Sequence, residues 1–392
     1  MSLLILVGEL VFAALGITAG IAWIALLRRL AISLSWTMRG TVGQPESSSY
    51  VVAIVPMRNE SGNVQGCIAS LLEQDAVRKV VAIDDCSSDG TSELLSRFAS
   101  QDDRIRVAKI DHVPAGWAGK SYACHVGSSE AGRCDWLLFV DADTRLSPGA
   151  LGRPLAFAEG NGLDALSLFG RLRCPNVWVK LATPFYFGLL NAFIPLRDVN
   201  DPLKGSAYFV GSFVLIRRAG YLEIGGHAAV AAELVEDRAL GKLAKQKGLK
   251  TALRFSPDEV SAEWAPGFRN SVRALLRVSV PPMRRRVRLG ATFSLALSIL
   301  FLMPLLSVVL GGWLVAEGLP DGALFLLLGI VLLVFEMAFT ELSARRISGG
   351  VPFPFALGSV PVSLVYVVVL WRSVFRAWLV KPVRWRDREY RL

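Results

Sequence analysis

The stretch Trp136-Leu137-Leu138-Phe139-Val140-Asp141-Ala142-Asp143-Thr144 runs five apolar residues directly into two acids with one alanine between them. An unbroken apolar run bounded by polar residues reads as a strand covered on both faces, as in a parallel sheet. Two carboxylates that close repel, and neither tolerates burial without a partner, so the pair points to a cation. Working outward, residues 50–55 (YVVAIV) end at Pro56, residues 79–83 (KVVAI) end in Asp84-Asp85, and residues 105–110 (IRVAKI) form a further run. Between them, residues 64–72 and 91–99 have helical spacing, preceded by the capping types Asn59, Ser61, Ser87, Ser88 and Asp89. Alternating strands and helices predict an α/β domain with a parallel sheet. The polar residues stand just past the carboxyl ends of the strands, where open α/β sheets bind ligands.

Three acidic groups are therefore expected on one edge: Glu60, Asp84-Asp85-Asp89 and Asp141-Asp143. Asp89 also reads as a plain helix cap. For Asp141 and Asp143, the oxygen donors suit a hard ion such as Mg²⁺ or Mn²⁺. Other motifs fail. Gly119-Lys120-Ser121 ends like a phosphate loop, but Pro114 stands where the leading glycine belongs, and no GxGxxG opens a helix after the first strand.

The chain has 392 residues, 53% of them hydrophobic, and a net charge of +10. Its mean hydropathy of +0.44 is high for a soluble protein. The excess lies in two blocks. Residues 3–27 are apolar apart from Glu9 and lead into Arg28-Arg29. They are long enough to cross a bilayer, and too long, with no basic start, for a cleavable signal. The second block offers spans at 290–315, 323–342 (containing Glu336) and 351–379, the last with three prolines near its start. The arginines gather at the edges of these blocks, at 28–39, 269–288, 345–346 and 372–391, which positive-inside anchoring explains better than nucleic-acid binding. An integral membrane protein with its globular domain in the cytoplasm is expected. Four crossings would put both termini outside, against the basic C-terminus; a re-entrant last segment would restore the parity. The plan is an anchor at 1–28, a linker at 29–49, a globular domain at 50–265, a basic interfacial helix at 266–289, about three spans within 290–380 and a basic tail at 381–392. Five cysteines without CxxC pairing suggest a reduced compartment and no structural zinc.

VPMRNE (55–60), IDDCSSDGT (83–91), VDADT (140–144) and LVEDRALG (234–241), in that order, resemble the inverting family 2 glycosyltransferases. GWAGKSYACHVG (116–127), GGH (225–227) and the helical layout narrow the resemblance to membrane enzymes of hopanoid and carotenoid pathways, with ceramide glucosyltransferases more distant. The resemblance implies a GT-A fold, a Rossmann-like nucleotide-diphospho-sugar transferase domain, joined to transmembrane helices. It implies that Pro56, Glu60 and Asp85 contact the nucleoside, that Asp141 and Asp143 face the diphosphate with Asp143 as the direct metal ligand, and that Lys120 faces the diphosphate or sugar. It makes Asp237 the general base that takes a proton from an acceptor hydroxyl, with Glu236 as the rival. A base must stand apart from a metal to keep a usable pKa, so Asp237 is expected to approach from the opposite face.

The (Q/R)xxRW motif of related processive enzymes is absent; Arg269 and Arg273 are one helical turn apart and would meet either diphosphate or lipid. His227 reads as an acceptor-loop or capping residue. The aromatic segment 171–202, with Phe185, Tyr186 and Phe187, reads as an acceptor-binding insertion or interfacial segment. The expected partners are a nucleotide-diphospho-sugar, a lipid acceptor and the membrane, and no nucleic acid. A polyprenyl-phosphate sugar synthase is the alternative, and a membrane transporter or sensor a more remote one.

Overall fold

The computed structural model describes residues 3–38, 49–350, 352–385 and 388–390. In chain order it begins with α1 (Leu3–Leu34), β1 (Val51–Met57), α2 (Ser61–Leu72), β2 (Val77–Asp85), α3 (Thr91–Gln101) and β3 (Ile105–Ile110). It continues with α4 (Gly119–Glu130), β4 (Trp136–Phe139), β5 (Arg145–Leu146), α5 (Gly152–Gly160), β6 (Ala165–Phe169) and β7 (Arg171–Leu172). Then come α6 (Val177–Phe193), α7 (Leu196–Asn200), β8 (Val214–Arg217), α8 (Arg218–Glu223), α9 (Glu236–Gln246), β9 (Thr251–Phe255) and β10 (Val260–Ala262). Last are α10 (Phe268–Arg285), α11 (Val287–Ala316), α12 (Gly322–Ile347), α13 (Ser359–Trp378) and the short strands β11 (Val383–Trp385) and β12 (Arg388–Tyr390).

Two compact units result: Ser35–Arg173 with Leu196–Trp264, and Met1–Leu34 with Cys174–Pro195 and Ala265–Leu392. The first holds a seven-stranded sheet in the order β3-β2-β1-β4-β8-β6-β9. β1 is parallel to both β2 and β4, and β2 to β3, as the apolar runs predict. β8 runs antiparallel to β4 and β6, so the whole sheet is mixed. The apolar runs are buried on both faces because their side chains alternate between two cores. Ala53, Val55, Val80, Ala82 and Leu138 pack with Val64, Ile68 and Leu71 of α2 and Leu155 of α5. Val52, Ile54, Val81, Ile83, Leu137 and Phe139 pack with Ala123 and Cys124 of α4 and Leu240 and Ala244 of α9. Each fully buried Val, Ile or Leu stabilises the fold by roughly 1.5–3 kcal/mol. The chain goes outward from β1 to β2 and β3, then back to β4 on the other side of β1. That reversal opens a crevice between the carboxyl ends of β1 and β4.

The second unit is helical. Among the described residues, four helices are long and apolar enough to cross a membrane, at Val7–Leu34, Val287–Ala316, Gly322–Ile347 and Phe355–Trp378. One expectation is corrected here. Residues 29–34 are not linker: Arg29 donates from Nε to the carbonyl of Ala192 at 2.6 Å and Ser33 Oγ to that of Asn191 at 2.7 Å, which holds α1 helical past the arginine pair. Residues 39–48, the rest of the expected linker but for Ser49 and the short stretch 35–38, lie outside the described residues. Trp36 and Met38 pair with Phe255 of β9 as an edge strand would. Phe185 and Tyr186, in the segment read as an acceptor-binding insertion or interfacial segment, lie within the helical unit. Both are buried, Phe185 against the rings of Phe301, Phe339 and Tyr366, because α6 is apolar around most of its circumference and packs as a core helix.

Candidate active site

The loops after β1 and β2 are joined by their own polar side chains. The Asn59 N–H donates to Ser87 Oγ at 3.0 Å, Asn59 Oδ1 accepts from the Ser88 N–H at 2.8 Å, and the Glu60 N–H donates to Thr91 Oγ1 at 2.9 Å. Asp89 accepts from the Ser61 N–H and from both the N–H and hydroxyl of Thr91, so it serves the first turns of α2 and α3 together. Its partial burial raises its pKa, but those hydrogen bonds outweigh it and bring the group down to about 2. Glu60 and Asp85 are buried on this shelf; Glu60 Oε2 accepts from Asn63 Nδ2 at 2.8 Å, and the Asp85 carbonyl accepts from Arg58 Nη1 at 2.8 Å.

Beyond β4 the chain turns sharply, with the Thr144 N–H donating to the Asp141 carbonyl at 3.0 Å. Two arginines brace this turn by its backbone. Arg173 Nη2 donates to the Asp143 carbonyl at 2.6 Å and Arg145 Nη1 to those of Ala142 and Thr144.

Lys120, in the first turn of α4, lies across the crevice. Its ammonium is 2.5 Å from Asp141 Oδ1 and 2.6 Å from Glu236 Oε1. Burial lowers its pKa, but Asp141, Glu236 and Asp237 overcome that and hold it well above the usual lysine value. Asp237, beside Glu236 at the start of α9, receives the Gly211 N–H on Oδ2 at 2.8 Å and the Arg238 N–H on Oδ1 at 2.7 Å. Burial and the neighbouring Glu236 raise its pKa to about 6, against the opposing pull of Lys120.

Pro56, Lys120, Asp141, Gly211, His227, Glu236 and Asp237 line one recess. The structure thus brings together four residues expected from sequence, Pro56, Lys120, Asp141 and Asp237, and sets Glu60 and Asp85 on the adjoining shelf. Asp143 is half-buried at the Arg-braced turn. Arg273 stands on α10, in the helical unit. Rather than approaching from the opposite face, Asp237 flanks the same glycine as Asp141: a Cβ on Gly211 would lie 2.9 Å from Asp141 Oδ2, 2.9 Å from Lys120 Nζ and 3.1 Å from Asp237 Oδ2.

Four features of the site escaped the sequence reading: Gly211, the Lys120–Glu236 pair, Arg145 and Arg173. The one available signal was Gly211-Ser212 preceding the apolar run of β8, a small residue at a strand mouth. Among the described residues no three His, Cys, Asp or Glu side chains gather as a metal cage. Two carboxylates are nevertheless a suitable protein share for Mg²⁺ or Mn²⁺, which draw most of their remaining ligands from substrate phosphates and water.

The sheet order, the crevice at its reversal point and the acids at its carboxyl edge define a GT-A fold. A mannosyltransferase from Pyrobaculum calidifontis, solved in complex with GDP-Man and Mn²⁺, shares this fold over 94% of this chain and 98% of its own, with a TM-score of 0.51 at 15% identity. Residues 52–225 match the model of Glycosyl transferase family 2, so this part of the chain is a family 2 glycosyltransferase domain. A 4,4'-diaponeurosporenoate glycosyltransferase of Staphylococcus haemolyticus is 25% identical over 241 residues, 60% of each chain. A protein of the same name from Staphylococcus aureus is 24% identical over 201 residues, 48% of this chain and 49% of its own. The matched stretch thus spans half to three fifths of the length of these curated relatives.

Proposed function

We propose that this chain is an inverting glycosyltransferase that moves a hexosyl group from a nucleotide-diphospho-sugar to the hydroxyl of a lipid or amphiphile. The observation that carries this reading is the charge arrangement in the crevice. A cation, Lys120, sits between Asp141 and Glu236, while a second carboxylate with a raised pKa, Asp237, stands beside them on a backbone N–H. Asp237 takes the proton of the acceptor hydroxyl as that oxygen bonds to the anomeric carbon, and the bond from that carbon to the diphosphate oxygen breaks in line. A base near pKa 6 is deprotonated at neutral pH and still accepts a proton readily. Lys120 stabilises the charge that develops on the departing nucleoside diphosphate. Glu60 and Asp85 on the adjoining shelf orient the nucleoside. Asp143 and Asp141 are the residues that would hold a divalent ion, which when bound supplies neutralising charge at the diphosphate.

The apolar helices and the diaponeurosporenoate named for the staphylococcal relatives support an apolar acceptor reached from a membrane. The arginines flanking those helices support a cytoplasmic active site. The test is a thermal-shift panel of nucleotide sugars on the detergent-solubilised chain, with and without Mn²⁺. One donor should stabilise the protein in a metal-dependent way, and Asp143→Ala should abolish the shift. If no nucleotide sugar shifts the melting point or releases its nucleotide in the presence of membrane lipids, the proposal fails.

A further inference from the structure

His227 is buried in the wall of the same recess, and its hydrogen bonds fix where its proton lies. Four contacts form a chain. The His227 backbone N–H donates to Tyr221 Oη at 3.0 Å, Nδ1 of the ring lies 3.0 Å from the same oxygen, Tyr221 Oη lies 3.2 Å from Ser128 Oγ, and Ser128 Oγ lies 2.7 Å from the His125 carbonyl. A carbonyl only accepts, so Ser128 spends its hydrogen there and can only accept from Tyr221. Tyr221 thereby spends its own hydrogen and accepts from Nδ1. One assignment gives every contact a hydrogen: Nδ1 protonated, Nε2 bare. Burial and the Lys120 charge push the imidazole down to about 3, so it stays neutral.

The local sequence builds this geometry. Gly225 and Gly226 have φ of 82° and 53°, and a Cβ on Gly226 would fall 2.7 Å from Tyr221 Oη. Only a backbone without side chains can fold over the tyrosine closely enough for residue 227 to reach it twice. Phe139 packs on the imidazole with ring centroids 4.7 Å apart and sets its tilt.

Among the described residues Nε2 has no hydrogen-bond partner, and Lys120 uses two of its three N–H groups. The recess thus offers a bare acceptor and a spare donor. That suits a hydroxyl, which donates to one and accepts from the other, whereas a phosphate oxygen would meet the lone pair of Nε2. The hydroxyl that reacts gives its proton to Asp237, so the one at His227 is a bystander on the sugar.

We infer that His227 is a positioning residue that accepts, through Nε2, a hydrogen bond from a ring hydroxyl of the transferred sugar. The inference rests on the proposed glycosyl transfer and deepens it to the choice of sugar.

The full chain in detergent tests it in two ways. The sequence holds three histidines, so ¹⁵N-histidine labelling gives few signals, and His227→Gln identifies one of them. That signal should show a protonated Nδ1 and a bare Nε2; a protonated Nε2 overturns the inference. Separately, kcat/KM is compared for the accepted nucleotide sugar and its monodeoxy analogues. With the parent donor, His227→Gln and His227→Ala should lose about 10- to 100-fold. With one monodeoxy donor the wild type should already be that slow, and the variants should lose less than about twofold more. Tyr221→Phe keeps the packing, releases Nδ1, and should give a smaller loss with the same donor selectivity. Equal losses for the parent and every deoxy donor overturn this inference alone. Absence of turnover by the wild type with any nucleotide sugar overturns the glycosyl-transfer reading beneath it.

Discussion

Gly211 donates its N–H to Oδ2 of Asp237 at 2.8 Å, and its bare Cα faces the Lys120 ammonium and the Asp141 carboxylate. Three charged groups, from α4, the turn after β4 and α9, meet where one residue has no side chain. Gly211→Ala forces at least one of them away. Misplacement by about an ångström costs on the order of 100-fold in rate. The expected result is a kcat drop of that size with an unchanged melting temperature, because the collision falls on side-chain ends. A variant with wild-type kcat would show that the convergence is not needed.

The proposed role of Asp237 links catalysis to pH. As the proposed base it must be ionised, so kcat/KM should fall as the pH drops through about 6. In Glu236→Gln a repelling charge is gone, and the acid limb should move to lower pH. A limb that stays in place would assign it to another group.

The same carboxylate should weaken the fold at neutral pH. A folded pKa raised above the ordinary aspartate value gives stability that is present below that value and is lost as the pH rises through about 6. Asp237→Asn should therefore melt higher than the wild type at pH 7 and no higher at pH 4, while its rate falls by about 100- to 10,000-fold. Equal melting curves at pH 7 would mean that Lys120 fully compensates the burial.

Removal of divalent ions should act through the donor. Calorimetry is expected to show a nucleotide-sugar affinity that drops at least about tenfold on adding a chelator. The chelator should have little effect in Asp143→Ala, whose affinity is already low. Chelator-insensitive binding in the wild type would remove the metal from the scheme.

Asp89 is tested by stability rather than by rate. Since it caps the first turns of two helices, Asp89→Ala should cost about 1–2 kcal/mol, read as a lower melting temperature, while the accepted donor stays the same. A change of donor instead would make Asp89 a binding residue.

The sequence was most informative where one chain segment carries its own explanation. The strands β1, β2 and β4 were readable because residues 51–55, 80–83 and 136–140 are apolar throughout, as strands covered on both faces must be, whereas β3, at the sheet edge, carries Arg106 and Lys109 and showed only by its place in the strand-helix alternation. β5 and β7, with two residues each, are too short to show a period. β6 and β8 went unread, and with them the antiparallel half of the sheet. The acids past β1, β2 and β4 were visible as polar residues at strand ends. Their partners were not, since Lys120 reaches Glu236 across more than a hundred residues and no local pattern encodes that pairing. GGH was legible as a motif, but its role depends on Tyr221 and Ser128, which only the fold brings to it.

The chain passes between its two units at four peptide bonds, after Leu34, Arg173, Pro195 and Trp264. A water-soluble catalytic fragment therefore cannot be made by trimming the ends. Cutting at residues 35 and 264 would leave α6 inside the fragment, with Phe185, Leu189 and Ala192 stripped of the helices that bury them. A usable fragment needs residues 174–195 replaced by a short polar loop. Family members that lack the terminal helices altogether should carry such a loop at this position.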